Sequence, residues 1–167
     1  MSIESFLQDF APICERVGKH YGIPHRLLLS QCAVESGWGA KTLAQNNFTG
    51  MKWTLSMWKM PGPKVKAKEN QNTKKPTIEP AVFVAYVSPE ACVIHLAETL
   101  KFSGNYVSFQ RGLRDGESIE VLFAQLARVY CTDAKYAETL GKVYATIQSK
   151  IGPNAPSKAA SGPESQA

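Results

Sequence analysis

The chain has 167 residues, of which 44% are hydrophobic, 20% charged and 10% aromatic. This length fits one domain, and this composition excludes a wholly disordered, collagenous or fibrous chain. The net charge of +5 favours an anionic partner, and it leaves nucleic acid, anionic lipid and anionic cell-wall polymer open.

Two helices are predicted at the start of the chain. Apolar residues recur every three or four positions over 6–21, which predicts an amphipathic helix. Pro12 is expected to kink or restart this helix, and Gly22 to end it. Pro24 is the expected first residue of a second, more apolar helix, which ends at Gly37.

The middle of the chain changes pattern. Over 60–80, lysines alternate with apolar residues around a polar turn, and a β-rich AVFVAY run follows, so we predict a small hairpin. Helical periodicity then returns in three segments, at 89–102, 118–130 and 136–151. The last residues, 152–167, include no aromatic or branched aliphatic side chain. We therefore predict a folded domain over 1–151 and a disordered tail over 152–167.

The sequence indicates neither a metal site nor a cofactor. Four widely spaced cysteines form no CxxC pair, and three histidines form no HExxH motif; the cysteines are Cys14, Cys32, Cys92 and Cys131. We expect these thiols to be free and packed as small apolar side chains. The chain also lacks the GxSxG, GxxxxGK[ST] and GxGxxG motifs, so serine hydrolase, P-loop and dinucleotide-binding functions lose their usual support.

Glu35 is the carboxylate with the most suggestive setting. It is predicted in the last turn of the second helix, where the negative end of the helix dipole disfavours another negative charge. Trp38 follows closely and is expected to exclude water, and both effects raise the pKa of a carboxyl group. A carboxylic acid that stays protonated can give its proton to a leaving oxygen. The alternative is an exposed residue at a helix end.

Four ordered segments resemble the bacterial peptidoglycan N-acetylglucosaminidases of glycoside hydrolase family 73. They are AVESGWG at 33–39, NNFTGMK at 46–52, FVAYVS at 83–88 and the LA…Y…TD…Y pattern at 126–136. The resemblance covers most of residues 11–147. Thr49 and Val84 depart from it, because the family usually has an aromatic residue and an arginine there.

The resemblance implies a mainly α, lysozyme-like helical domain with a small β-hairpin lobe beside a substrate groove. It also implies hydrolysis of the β-1,4 bond between N-acetylglucosamine and N-acetylmuramic acid, with Glu35 as general acid and no cofactor. Muramidases and lytic transglycosylases share this scaffold and also use a glutamate, so they are alternatives.

The second catalytic group is expected in the hairpin. Glu69 lies about where the family has its second glutamate, and its lysine neighbours favour an ionised, water-activating base. Its alternative role is a solvent-facing charge. Glu79 is a second candidate, and the acetamido group of the substrate is a third.

Several side chains are candidates for the groove, because flat aromatic faces suit sugar rings. The aromatic candidates are Trp38, Trp53, Trp58, Tyr130 and Tyr136, and of the two tyrosines Tyr130 is expected nearer the cleaved bond. The expected role of Trp38 is half structural, because it would also close the loop after Gly37. Asn47 either contacts sugar or holds the turn through bonds to the backbone.

The partner predicted by the resemblance is the peptidoglycan glycan strand. Seven of the nineteen basic residues lie within 52–75, which suits a solvated hairpin with a modest attraction for anionic peptide stems. That segment has no arginine and no regular aromatic interleaving, so a nucleic-acid module is disfavoured. A non-catalytic glycan-binding module is argued against by the intact Glu35.

The N-terminus carries acids where a signal peptide would carry a basic and then an apolar run, and no apolar stretch is long enough to span a membrane. We therefore expect a protein made in the cytoplasm without a signal peptide and exported by another route, with no membrane insertion. One route is type VI secretion of an antibacterial effector into the periplasm of a rival, with an immunity protein that occludes the groove. The alternative is a phage endolysin.

Overall fold

The structure is a computed structural model that describes residues 1–52, 60–69, 77–131 and 133–152. Within the strands, residues 60–69 and 77–81 are described by their backbone alone. The predicted tail over 152–167 lies outside the described residues except for Gly152.

The described residues form a mainly helical fold with one β-hairpin. In chain order the elements are α1 (Ile3–Tyr21), α2 (His25–Ser36), β1 (Met60–Glu69), β2 (Thr77–Ala85), α3 (Pro89–Phe102), a 3-10 turn (Gly104–Tyr106), α4 (Val107–Asp115), α5 (Ile119–Tyr130) and α6 (Tyr136–Ile151). The predicted fold class is confirmed.

Helix α1 begins earlier than expected, at Ile3. It ends where Gly22 adopts a φ of 67°, as predicted. The helix continues through Pro12, so the predicted restart there is wrong. A proline costs α1 a backbone hydrogen bond, but the flanking Phe10 and Cys14 are buried in the core, and this packing keeps the helix continuous.

Helix α2 is the central helix of the domain. It packs against α1, α3 and α6, and nine of its twelve residues are buried. Pro24 is its N-cap, so the helix begins one residue later than predicted, and Gly37 ends it with a φ of 54°. Glu35 is therefore the last residue but one of a helix that is held on several sides.

The two strands form the predicted hairpin. Strand β1 runs antiparallel to β2, and the register extends from Met60 opposite Ala85 to Glu69 opposite Thr77. The hairpin is joined to the loop that follows α2, because the backbone N–H of Val84 donates to the carbonyl of Met51 at 3.0 Å. The hairpin is thereby tied to the chain that leaves the C-terminal end of α2.

The later helices complete the core. Helices α3, α5 and α6 correspond to the three predicted helical segments. Helix α4 was not predicted, and only Phe109 and Gly112 are buried in it. None of the helices that the structure describes has the length and apolarity needed to cross a membrane.

Candidate active site

Glu35 lies where α2 ends and the chain turns toward the hairpin. The turn is fixed by Ser36, whose hydroxyl donates to the carbonyl of Cys32 at 2.6 Å and accepts from the N–H of Gly39 at 2.8 Å. The Glu35 side chain is half-buried. The helix end thus presents a carboxyl group that is held by the fold and still reachable.

One carboxyl oxygen of Glu35 is bound by a tyrosine from the last helix. The hydroxyl of Tyr136, the first residue of α6, donates to Oε1 of Glu35 at 2.6 Å. The Tyr136 ring is stacked on that of Tyr130, with centroids 5.7 Å apart and planes 11° apart. Two helices therefore bring a pair of aromatic rings to the carboxyl group.

The other carboxyl oxygen faces a glycine. Gly50 has a φ of +65°, and a Cβ built there would lie 3.4 Å from Oε2 of Glu35. The preceding residue, Thr49, accepts a hydrogen bond on its carbonyl from the hydroxyl of Tyr130. The loop after α2 and the two tyrosines thus meet around Glu35.

Burial raises the pKa of the Glu35 carboxyl group, and the hydrogen bond from Tyr136 opposes this by stabilising the charged form. The predicted direction is confirmed. The pKa of the Tyr136 hydroxyl is raised by burial and then by the charge of Glu35, so Tyr136 stays a neutral donor. The result is an acid with an elevated pKa and a fixed orientation.

Trp38 contributes to the site differently from the expectation. Its backbone has a φ of 58°, and its ring packs edge-on against Phe6 of α1, with centroids 5.7 Å apart. This contact supports the structural half of its predicted role, which was to close the turn after Gly37. The contacts described at the Glu35 carboxyl group come from Tyr136 and Gly50.

Asn47 is one of the most buried polar residues of the described chain, with 2% exposure. Its side-chain nitrogen donates to the carbonyls of Met51 and Val84, each at 2.9 Å. Of its two expected roles, the structure favours holding the turn over direct contact with sugar.

The hairpin candidates are placed by backbone register. Glu69 lies opposite Thr77, and Glu79 lies opposite Ala67, so the two glutamates are diagonal neighbours on the ladder. The backbone does not discriminate between them. Trp53 and Trp58 lie outside the described residues.

From the sequence, Tyr130 is the tyrosine expected nearer the cleaved bond. In the structure it is Tyr136 that donates to the Glu35 carboxyl group, whereas Tyr130 donates to the carbonyl of Thr49 in the loop after α2. Gly50 was part of a motif but had no assigned role; its position straight after a turn is the signal that marks a positive φ. In the part of the chain that the structure describes, no group of three or more His, Cys, Asp or Glu side chains is arranged to hold a metal ion.

Comparison with known proteins identifies similar families and folds. Residues 11–149 match the family model Glucosaminidase, described as mannosyl-glycoprotein endo-beta-N-acetylglucosaminidase. The peptidoglycan hydrolase FlgJ of Vibrio cholerae serotype O1 is 28% identical over 153 residues, which are 87% of this chain and 44% of that relative. The chain therefore spans less than half the length of this relative.

Two solved structures share the fold. A peptidoglycan hydrolase mutant from Sphingomonas sp. A1 has a TM-score of 0.75 at 20% identity, and the match covers 88% of this chain and 97% of that one. A type VI secretion system effector-immunity complex from Pseudomonas protegens has a TM-score of 0.61 at 15% identity, with 90% and 94% covered.

Proposed function

We propose, because the chain belongs to the glucosaminidase family of glycoside hydrolases over residues 11–149, that it hydrolyses the glycan strands of bacterial peptidoglycan. The similar proteins from Vibrio cholerae and Sphingomonas are both named peptidoglycan hydrolases, which supports this substrate. The bond that we propose is the β-1,4 bond between N-acetylglucosamine and N-acetylmuramic acid.

The observation that carries the proposal is the Glu35 carboxyl group, half-buried and bound at 2.6 Å by Tyr136. Because Tyr136 occupies Oε1, the proton of the acid form belongs on Oε2. From there it passes to the glycosidic oxygen as the bond between that oxygen and the anomeric carbon breaks. Gly50 leaves room beside Oε2, since any side chain larger than hydrogen would begin 3.4 Å from it.

The proposed second group is Glu69, acting as a base that takes a proton from the attacking water. Glycosidases generally pair their acid with a carboxylate across the groove, and the hairpin register offers Glu69 and Glu79. Loss of activity in Glu69→Gln but not in Glu79→Gln supports this choice. Full activity in both variants would indicate that the acetamido group of the substrate is the second catalytic group.

Digestion of purified peptidoglycan tests the proposed reaction. The wild-type protein and Glu35→Gln are compared, and the new ends are reduced with borohydride and identified by mass spectrometry. We expect reduced N-acetylglucosamine ends from the wild type and none from the variant. Ends at N-acetylmuramic acid identify a muramidase, its anhydro form identifies a lytic transglycosylase, and binding without release identifies a glycan-binding module.

We further propose that the protein acts as an antibacterial toxin in the periplasm of a target cell, with an immunity protein that covers the groove. A chain of the Pseudomonas protegens effector-immunity complex has the same fold, and this likeness motivates the proposal. The competing role is that of a phage endolysin.

Expression with a periplasmic targeting sequence tests the toxin role. We expect lysis with the wild-type chain, survival with Glu35→Gln, and rescue by the product of a neighbouring gene. Lysis that no neighbouring gene relieves favours the endolysin, and survival with an active, exported wild type rejects both.

A further inference from the structure

Backbone groups occupy every hydrogen-bonding position of the Asn47 side chain. Its amide nitrogen makes two donations, to the carbonyls of Met51 and Val84. Its Oδ1 accepts from the N–H of Met51 at 3.2 Å and from the N–H of Thr49 at 3.4 Å. An asparagine side chain offers two donors and two acceptor sites, so this buried amide has no bond left for a ligand.

These four bonds define the geometry of the 47–51 loop. They close the loop on itself, from Asn47 to Met51, and they tie it to β2 at Val84. Phe48, the next residue, packs edge-on against Phe10 in the core with centroids 4.5 Å apart. The loop is thus held on the core side by the Phe48 ring, and on the hairpin side by the Asn47 amide together with the backbone bond from the Val84 N–H to the Met51 carbonyl.

The 47–51 loop meets the surroundings of the Glu35 carboxyl group at two points. Gly50 lies beside Oε2 of Glu35, and the carbonyl of Thr49 accepts the hydrogen bond of Tyr130. Tyr130 in turn stacks on Tyr136. A displacement of the loop therefore removes cover from one carboxyl oxygen and support from the tyrosine pair.

We propose that Asn47 is a positioning residue, which holds the 47–51 loop against the Glu35 carboxyl group and keeps water away from it. Without the amide, the carbonyl of Val84 loses its donor from Asn47, while that of Met51 keeps the N–H of Val84. A buried carbonyl that lacks a donor draws in water. That this positioning serves hydrolysis rests on the proposed function, whereas the effect of Asn47 on the pKa of Glu35 does not.

The test compares Asn47→Ala with Asn46→Gly in the full chain. Asn46 is the matched control because its amide also donates to a backbone carbonyl, that of Tyr86, at 3.0 Å. Glycine preserves its φ of 52°. Circular dichroism checks folding, and Asn47→Ser, which keeps one donor, serves if the alanine variant does not fold.

The main measurement is the titration of the Glu35 carboxyl carbon by NMR. We expect the pKa of Glu35 to fall toward its ordinary value in Asn47→Ala, to fall less in Asn47→Ser and to be unchanged in Asn46→Gly. The described titratable groups that face Glu35 are Tyr130, Tyr136 and Cys32, and the pKa of each is raised. They stay neutral across the acid range and do not disturb the titration.

Activity gives a second readout. If the wild type digests peptidoglycan, we expect kcat of Asn47→Ala to fall about tenfold to a hundredfold with little change in KM, as misplacement of an acid predicts. An unchanged Glu35 titration in folded Asn47→Ala overturns the inference, and so does an equal fall in Asn46→Gly. A lowered pKa in a protein that digests nothing rejects the proposed function and keeps the positioning role.

Discussion

The hydroxyl of Tyr136 lies 2.6 Å from Oε1 of Glu35, although the two residues are 101 positions apart in the chain. The bond joins the end of α2 to the start of α6 and does two things at once. It fixes the orientation of the carboxyl group, and it moderates the rise in pKa that burial causes. Each effect is separately measurable.

Tyr136→Phe should shift the pH profile of the enzyme upward. The variant loses a hydrogen bond that lowers the pKa of Glu35, while the ring continues to exclude water. Because the proposed general acid must be protonated to act, we expect the loss of kcat/KM on the alkaline side to move to higher pH. We also expect kcat to fall about tenfold through lost orientation.

Tyr144→Phe is the control for this variant. Tyr144 lies about two turns further along α6, and its ring packs against Phe123 with centroids 5.7 Å apart. Its profile should match the wild type. A profile of Tyr136→Phe that moves to lower pH contradicts the assigned effect of the bond.

Gly50→Ala should reduce activity out of proportion to its effect on stability. A side chain at a φ of +65° is strained, which costs about 1 kcal/mol of unfolding free energy. Its Cβ would also lie 3.4 Å from Oε2 of Glu35, in the space proposed for the leaving oxygen. Peptidoglycan digestion and denaturant unfolding measure the two effects.

Gly116→Ala is the control that separates the effect of backbone strain from that of crowding at the Glu35 carboxyl group. Gly116 has a φ of +68°, and nothing lies within 4 Å of a Cβ built there. Both alanine variants should lose similar stability, and activity should fall in Gly50→Ala alone. Equal activity losses would assign the effect to strain.

Glu35→Gln should gain stability over the wild type as the pH rises. The pKa of Glu35 is higher in the folded state than its ordinary value, so between these values the folded state keeps a proton that the unfolded state has lost. The free energy of unfolding of the wild type therefore falls as pH rises through that window, whereas that of the glutamine variant does not, because glutamine does not titrate. Thermal unfolding at about pH 4 and about pH 7 checks the sign; a difference that shrinks toward neutral pH would oppose it.

The thiols should differ sharply in reactivity. Cys14, Cys32 and Cys92 are fully buried, whereas Cys131 is half-buried. A hydrogen bond with Cys14 and then burial raise the pKa of Cys32, and burial raises that of Cys92 to about 12. Since the thiolate is the reactive form, a thiol reagent should modify Cys131 first and the others only after denaturation. Early modification in Cys131→Ser would contradict this order.

Local patterns in the sequence were enough for most elements of the fold. Helices α5 and α6 carry clear three-and-four periodicity, α3 is a 14-residue segment that is apolar around more of its circumference, and the hairpin carries alternation. Helix α4 has only nine residues, which is shorter than the window over which helical periodicity is read. Its place is set by packing against α5, which no local pattern encodes.

The position of the Glu35 carboxyl group at the end of α2 was predictable from the sequence, and the residues that contact it were less so. The position of Glu35 follows from the glycines that end α2. The bond from Tyr136 depends on how α6 packs across α2, and the proposed role of Asn47 depends on the carbonyl of Val84, 37 residues away. Such contacts join distant segments, and residue types alone do not distinguish a buried turn-holding amide from one that meets a ligand.

The packing of α6 on α2 has a consequence for synthesis on the ribosome. Tyr136 and the helix that carries it leave the ribosome 101 residues after Glu35. Until that helix docks, the carboxyl group of the nascent chain lacks the tyrosine that orients it. The surroundings of the Glu35 carboxyl group are therefore complete only when α6 has folded.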